Sequence, residues 1–191
     1  MKSYRPYKYR DRYKWLTGKL YKTGMLLFCI TCSFTSRQQK DKASEYNMKA
    51  AFIYNFTKYI EWKPSLDENE FTIGVIGPSP INDPLGEIVK TATVDSKKIT
   101  IKRFSKPADI SFCHILFISR NSGFPLEDIL AKTNGKGMLI ISEQDGYAGL
   151  GTAINFVIVN SKLKFEANTK AINAAGLTAS SQLLKLAIIV K

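Results

Sequence analysis

The most reactive pairing in this chain is Cys113-His114, a thiol beside the single imidazole. Neighbouring residues on an extended strand point to opposite faces, so these two cannot serve each other as nucleophile and base. They read as a buried thiol and a satisfied histidine at the start of a core strand. Ser161-Lys162-Leu163-Lys164 has the spacing of a serine–lysine acyl-transfer motif, but that arrangement needs a helix to bring both side chains to one face. Here it falls in a hairpin turn and reads as a chance match. The chain carries no Walker loop and no GxSxG. Three cysteines are too few for a zinc site made only of cysteines, and one histidine excludes sites built on two or three. No metal and no cofactor is expected.

The glycine-rich loop Gly146-Tyr147-Ala148-Gly149-Leu150-Gly151 is more informative. Gly149 and Gly151 permit positive φ and close backbone approach, which suits either a cradle of backbone N–H groups or a tight strand entry. Asn155 and Glu166 follow and would line a small-molecule site with that loop, although a solvent-facing Glu166 is the plainer reading. Asn55-Phe56-Thr57 is a glycosylation sequon, discounted because it lies within a helix. Lys97, Lys98, Lys102, Arg103 and Lys106 gather on one strand and its flanks. They suit an anionic partner or the lysines that protect a sheet edge.

These residues need elements to position them. Met48, Ala51, Phe52, Asn55, Phe56, Tyr59 and Ile60 recur at helical spacing, which predicts a helix from a Ser44 cap to Trp62, stopped by Pro64. Residues 71–76 and 114–118 are continuous apolar runs, and Gly137–Ile141 is another, so three buried strands are expected. Residues 98–104 alternate with period two, which predicts a strand with one wet face. Short helices are expected near 84–90 and 126–130. Ala153–Val159 and Lys162–Ala167 flank Asn160-Ser161 as a hairpin. Helices at 169–175, capped by Asn168, and at 179–189, capped by Thr178, should close the chain. Strands alternating with helices imply an α/β fold of three layers, with a mixed, mostly parallel sheet flanked by helices and a C-terminal β-hairpin and helix.

The chain has 191 residues, 45% of them hydrophobic, and a formal net charge of +12. That charge is uneven. Residues 1–36 hold eight Lys/Arg and one acid, leaving 20 basic against 15 acidic residues in 37–191. A basic segment, the apolar stretch Gly24–Cys32 and the small polar Ser33–Ser36 follow in the order of a secretory signal peptide. The apolar stretch is shorter than a bilayer requires. An uncleaved basic arm and lipidation at Cys29 or Cys32 remain as alternatives. Residues 1–36 are thus expected to be a signal peptide or membrane-targeting leader, 37–43 a linker and 44–191 a single domain. Cleavage removes most of the excess charge, so nucleic-acid binding is not expected.

Six ordered segments resemble the YfiR family. They are the opening helix Tyr46–Trp62, the strand Phe71–Gly77, Cys113–Ser119, the loop Gly146–Gly151 running into Ile154-Asn155-Phe156, Lys164–Asn168, and the closing Ala174–Leu184. The resemblance implies export to the periplasm and repression of a membrane diguanylate cyclase through its periplasmic domain, which lowers cyclic di-GMP and holds back biofilm formation. It implies no catalytic residues. Many family members carry a second cysteine in the first strand, able to pair with that of the third segment. Gly74 stands there in this chain, so Cys113 is expected to be a free buried thiol.

Two functional readings follow. The first is a non-enzymatic periplasmic regulator that contacts a diguanylate cyclase or a sensor kinase, with Phe52, Ile53, Tyr54, Phe56 and Tyr59 as the contact surface, because apolar side chains surround that helix more completely than one buried stripe requires. The second is a periplasmic small-molecule binder that feeds a sensor kinase or an outer-membrane receptor, with Gly149, Gly151, Asn155 and Glu166 as the site. A homodimer is left open.

Overall fold

In the computed structural model, residues 41–62 and 69–190 are described. The leader and residues 37–40 of the linker lie outside them. Helix α1 covers 41–56 among these residues, so Ser44 lies inside the helix rather than at its cap. The helix also stops six residues short of Trp62. The amides of Thr57, Lys58 and Tyr59 bond to carbonyls three residues back, Tyr54, Asn55 and Phe56, so the last turn tightens and unwinds. Strand β1, Ile60–Glu61, then pairs antiparallel with β9, Thr178–Ala179. A distant strand, invisible to local periodicity, claims the end of the expected helix.

The remaining elements follow as β2 (Glu70–Ile76), α2 (Asn82–Ile88), β3 (Thr93–Val94), β4 (Lys97–Phe104), a 3-10 turn at Pro107–Asp109 and β5 (Ile115–Ile118). Then come α3 (Leu126–Thr133), β6 (Leu139–Ser142), β7 (Ile154–Val159), β8 (Lys162–Asn168), α4 (Thr169–Ala174), β9, α5 (Ser181–Leu186) and β10 (Ile188–Val190). Among the described residues the main sheet has eight strands, in the order β10-β8-β7-β6-β5-β2-β4-β3. The β7–β8 and β3–β4 pairs are antiparallel and the others parallel. The fold is therefore α/β, mixed and mostly parallel, as the sequence pattern implied.

Strand parity divides the core. Ile73, Val75, Ile115, Phe117, Leu139 and Ile141 face one layer with α1, α2 and the C-terminal helices. Ile76, Leu116, Ile118 and Ile140 face the other, with Cys113 and the α3 residues Leu126 and Ile129. Burial on both sides explains why these strands read as unbroken apolar runs.

The C-terminal end departs from expectation. Ser180, not Thr178, caps α5, its Oγ accepting from the Leu183 amide at 3.2 Å. The expected long helix ends at Leu186, and Ile188–Val190 turn out as an edge strand parallel to β8. An apolar run of this length fits helix or strand equally well, and the free edge of β8 decides. Asn168 does cap α4, its Oδ1 accepting from the Ala171 amide at 3.0 Å. The hairpin turn places Asn160 and Ser161 at φ +49° and +58°, the left-handed pair that suits the twist of two antiparallel strands.

Candidate functional site

In an open α/β sheet, ligands enter the crevice outside the carboxyl ends of the strands where the winding reverses. Here the reversal lies between β2 and β5, because the chain leaves β2 toward β4 and returns to β5 on its other side. That crevice is filled by the protein itself. Ser119 Oγ donates to the Pro78 carbonyl at 2.6 Å, and the Ser119 amide to the Ile76 carbonyl at 3.1 Å. Gly77 sits at φ +84°, and a Cβ there would lie 2.5 Å from the Ser122 Cα. The two loops meet backbone to backbone.

One strand further along, at the ends of β5 and β6, lies a buried charge cluster. Lys49 and Glu143 are each almost completely buried, with Nζ 2.6 Å from Oε2. The other carboxylate oxygen of Glu143 accepts from the Tyr46 hydroxyl at 3.2 Å and from the Arg120 amide at 3.0 Å. The Arg120 guanidinium donates twice to the Glu143 carbonyl, at 3.2 and 2.8 Å. Lys49 also reaches Glu45 one turn back, and its ammonium stands 4.5 Å from the Tyr46 ring centroid. Burial first, then the charge and hydrogen bond of Glu143, push the Tyr46 phenol up to about 12. Both carboxylate oxygens of Glu143 are thus engaged, which makes the cluster a clamp from α1 to the sheet. Sequence reading missed it, because Lys49 and Glu143 stand 94 residues apart. One signal was present: Lys49 occupies a helical position beside the apolar stripe, between Tyr46 and Ile53.

Cys113 and His114 do face opposite layers. Cys113 is free and buried, and burial pushes its thiol up to about 12. His114 Nδ1 accepts from the Thr72 amide at 3.0 Å, which puts the proton of a neutral ring on Nε2. Its ring stacks on Phe71 with centroids 4.3 Å apart.

The four expected ligand residues separate into two groups. Asn155 and Glu166 are paired across the β7–β8 ladder, and Asn155 Nδ2 donates to Glu166 Oε2 at 2.9 Å. Ser142 donates to Asn155 Oδ1 at 2.8 Å and lies 2.8 Å from the Thr152 hydroxyl. This chain of hydrogen bonds occupies the polar atoms of Asn155 internally. Gly151 instead lines a cleft of about 290 Å³ with Leu130, Met138, Ile140 and Ala175, which neither Asn155 nor Glu166 lines. Gly149 is exposed on the loop. Of the four, Gly151 alone lines this cleft.

The expected contact surface on α1 is also reduced. Ile53 and Phe56 are core residues, 0% and 1% exposed, so their side chains are withheld from any surface. Phe56 packs on Phe156 and Phe165 with ring centroids 6.1 and 5.1 Å away. Phe52, Tyr54 and Tyr59 are partly buried against the same core and keep an outer rim. One broad face of the helix, with Tyr46, Lys49, Ala50, Ile53 and Phe56, is buried, while Asn47, Met48, Ala51 and Asn55 on the opposite face are exposed.

A family model described as YfiR/HmsC-like matches residues 46–188. No curated protein matches the chain.

Proposed function

The chain belongs to the YfiR/HmsC-like family, and from that premise we propose that it is an exported, non-enzymatic regulator that binds the periplasmic domain of a membrane signalling protein and holds it inactive. A diguanylate cyclase is the partner we favour, with cyclic di-GMP and biofilm formation as the output. The observation that carries this reading is the match across almost the whole domain. The basic–apolar–small order of the leader supports export. Among the described residues no helix is long and apolar enough to cross a membrane.

The mechanism is a population shift: the regulator binds the inactive state of the sensor more tightly than the active one. About 1.4 kcal/mol of differential affinity gives a ~10-fold bias.

The test is lysine-reactive crosslinking of the tagged protein in its own cells, with mass spectrometry of the membrane fraction. Recovery of a sensor with a periplasmic domain and a cyclic di-GMP-synthesising domain is the expected result. A kinase or receptor would keep the regulatory class and replace the output. With export demonstrated, recovery of no membrane partner would overturn the reading. The cleft beside Gly151 favours a second reading, a small-molecule binder. A metabolite that raises the melting temperature of the wild type but not of Gly151→Leu would establish it.

A further inference from the structure

The two edges of the eight-stranded sheet are unlike. One ends in the two-residue β3, beside β4 with Lys97, Lys98, Lys102 and Arg103. Short edge strands and lysines are how sheets discourage further pairing. The other edge is β10, Ile188-Ile189-Val190, without a charge or a proline. Ile188 and Ile189 are 39% and 45% exposed, and Leu186 just before them is 71% exposed. Three large exposed apolar side chains thus fall within four residues, along a row of backbone groups that no described strand pairs.

Charge identifies the occupant. Residues 153–190 hold four lysines and one glutamate. Lys162, Lys164, Lys170 and Lys185 are all exposed, while Glu166 already accepts from Asn155. Lys164 and Lys185 lie toward the start of β10, because Ile188 pairs with Glu166, and Lys170 lies beyond its end, past the Val190–Asn168 pair. A second copy of the chain would bring like charges together. From this we infer that β10 is a docking edge for an extended apolar segment of the partner, flanked at both ends by acidic residues, which joins the sheet as a ninth strand. Main-chain hydrogen bonds would supply affinity, alternate side chains would meet the isoleucines, and the acidic flanks would set register. This inference rests on the regulatory reading above and specifies its contact surface.

The experiment places benzoylphenylalanine at Leu186 or, as a control on the guarded edge, at Lys98, in the full chain in its own cells. Irradiation and mass spectrometry then identify the crosslinked peptide. The expected product is an apolar segment with acids on both sides, from the same membrane protein that lysine-reactive crosslinking recovers. Ile189→Lys or Lys185→Glu should lower its yield roughly tenfold, with the melting transition unchanged. A crosslink to the chain's own peptides would make the edge a homodimer contact and overturn the inference. So would an acid-free partner segment, or a yield no higher at Leu186 than at Lys98. If lysine-reactive crosslinking recovers the sensor while the Leu186 probe does not, the docking edge is wrong and the regulatory reading stands. If neither recovers a partner, both fall.

Discussion

Lys49 is held by a charge it cannot replace. Removing one member of a buried ion pair leaves the other unpaired, which costs about 3–5 kcal/mol. Lys49→Met should therefore lower unfolding free energy by about 3 kcal/mol or more, read from urea melts. Combining it with Glu143→Gln should cost less than the two single changes together, because the glutamine is neutral and still accepts from Tyr46 and Arg120. Additive losses would show that the pair does not couple. Gly74 presents a different constraint. A Cβ there would lie 2.7 Å from Cys113 Sγ, 2.8 Å from the Phe104 ring and 3.0 Å from Leu116. Overpacking of this kind costs about 1–3 kcal/mol, so Gly74→Ala should destabilise measurably. Adding Cys113→Ala should recover part of the loss by vacating the nearest atom.

At the scale of elements, the hairpin β7–β8 and the cap of α4 allow the clearest tests. Ser161 holds φ +58° without being glycine, a conformation that costs an L-residue roughly 1–2 kcal/mol. Ser161→Gly should raise stability by about 1 kcal/mol after the entropy of glycine is counted; a neutral or negative change would mean that the serine side chain holds the turn. Asn168 both caps α4 and donates from Nδ2 to the Ala148 carbonyl at 2.7 Å. Asn168→Ala should therefore lose more than the ~1 kcal/mol of an ordinary cap, and hydrogen exchange should quicken in the loop at 146–151 as well as at the start of α4.

At the scale of the whole molecule, two buried groups among the described residues make the fold sensitive to alkaline pH. Tyr46 is raised from 10.0 and Cys113 from 9.0, each to about 12. In both cases the protonated form is favoured by the fold, so the unfolded chain loses its proton first as pH rises. The corresponding stability is present below pH 9 and is lost between about 9 and 12. The melting temperature should fall across that window. Cys113→Ala should flatten the part that begins near 9 and Tyr46→Phe the part that begins near 10. A profile unchanged by either substitution would assign the alkaline loss to other groups.

The sequence by itself determined the parts whose signal is local. Unbroken apolar runs marked β2, β5 and β6 because both faces of those strands are covered. Asn160-Ser161 marked the hairpin because few residues tolerate two left-handed positions in succession. Cys113 and His114 face opposite layers as their adjacency implied, although β5 itself begins one residue later, at Ile115. The tertiary structure alone decided whatever depended on a distant partner. It ended α1 at Phe56 because β9 pairs with the residues beyond. It turned Ile188–Val190 into a strand because β8 offered a free edge. It drew Ile53 and Phe56 inward, tied Asn155 to Glu166, and joined Lys49 to Glu143. Hydrophobic periodicity records that a side chain prefers burial but does not record what buries it. A charge is buried only where an opposite charge arrives from elsewhere in the chain, and no local pattern announces that arrival.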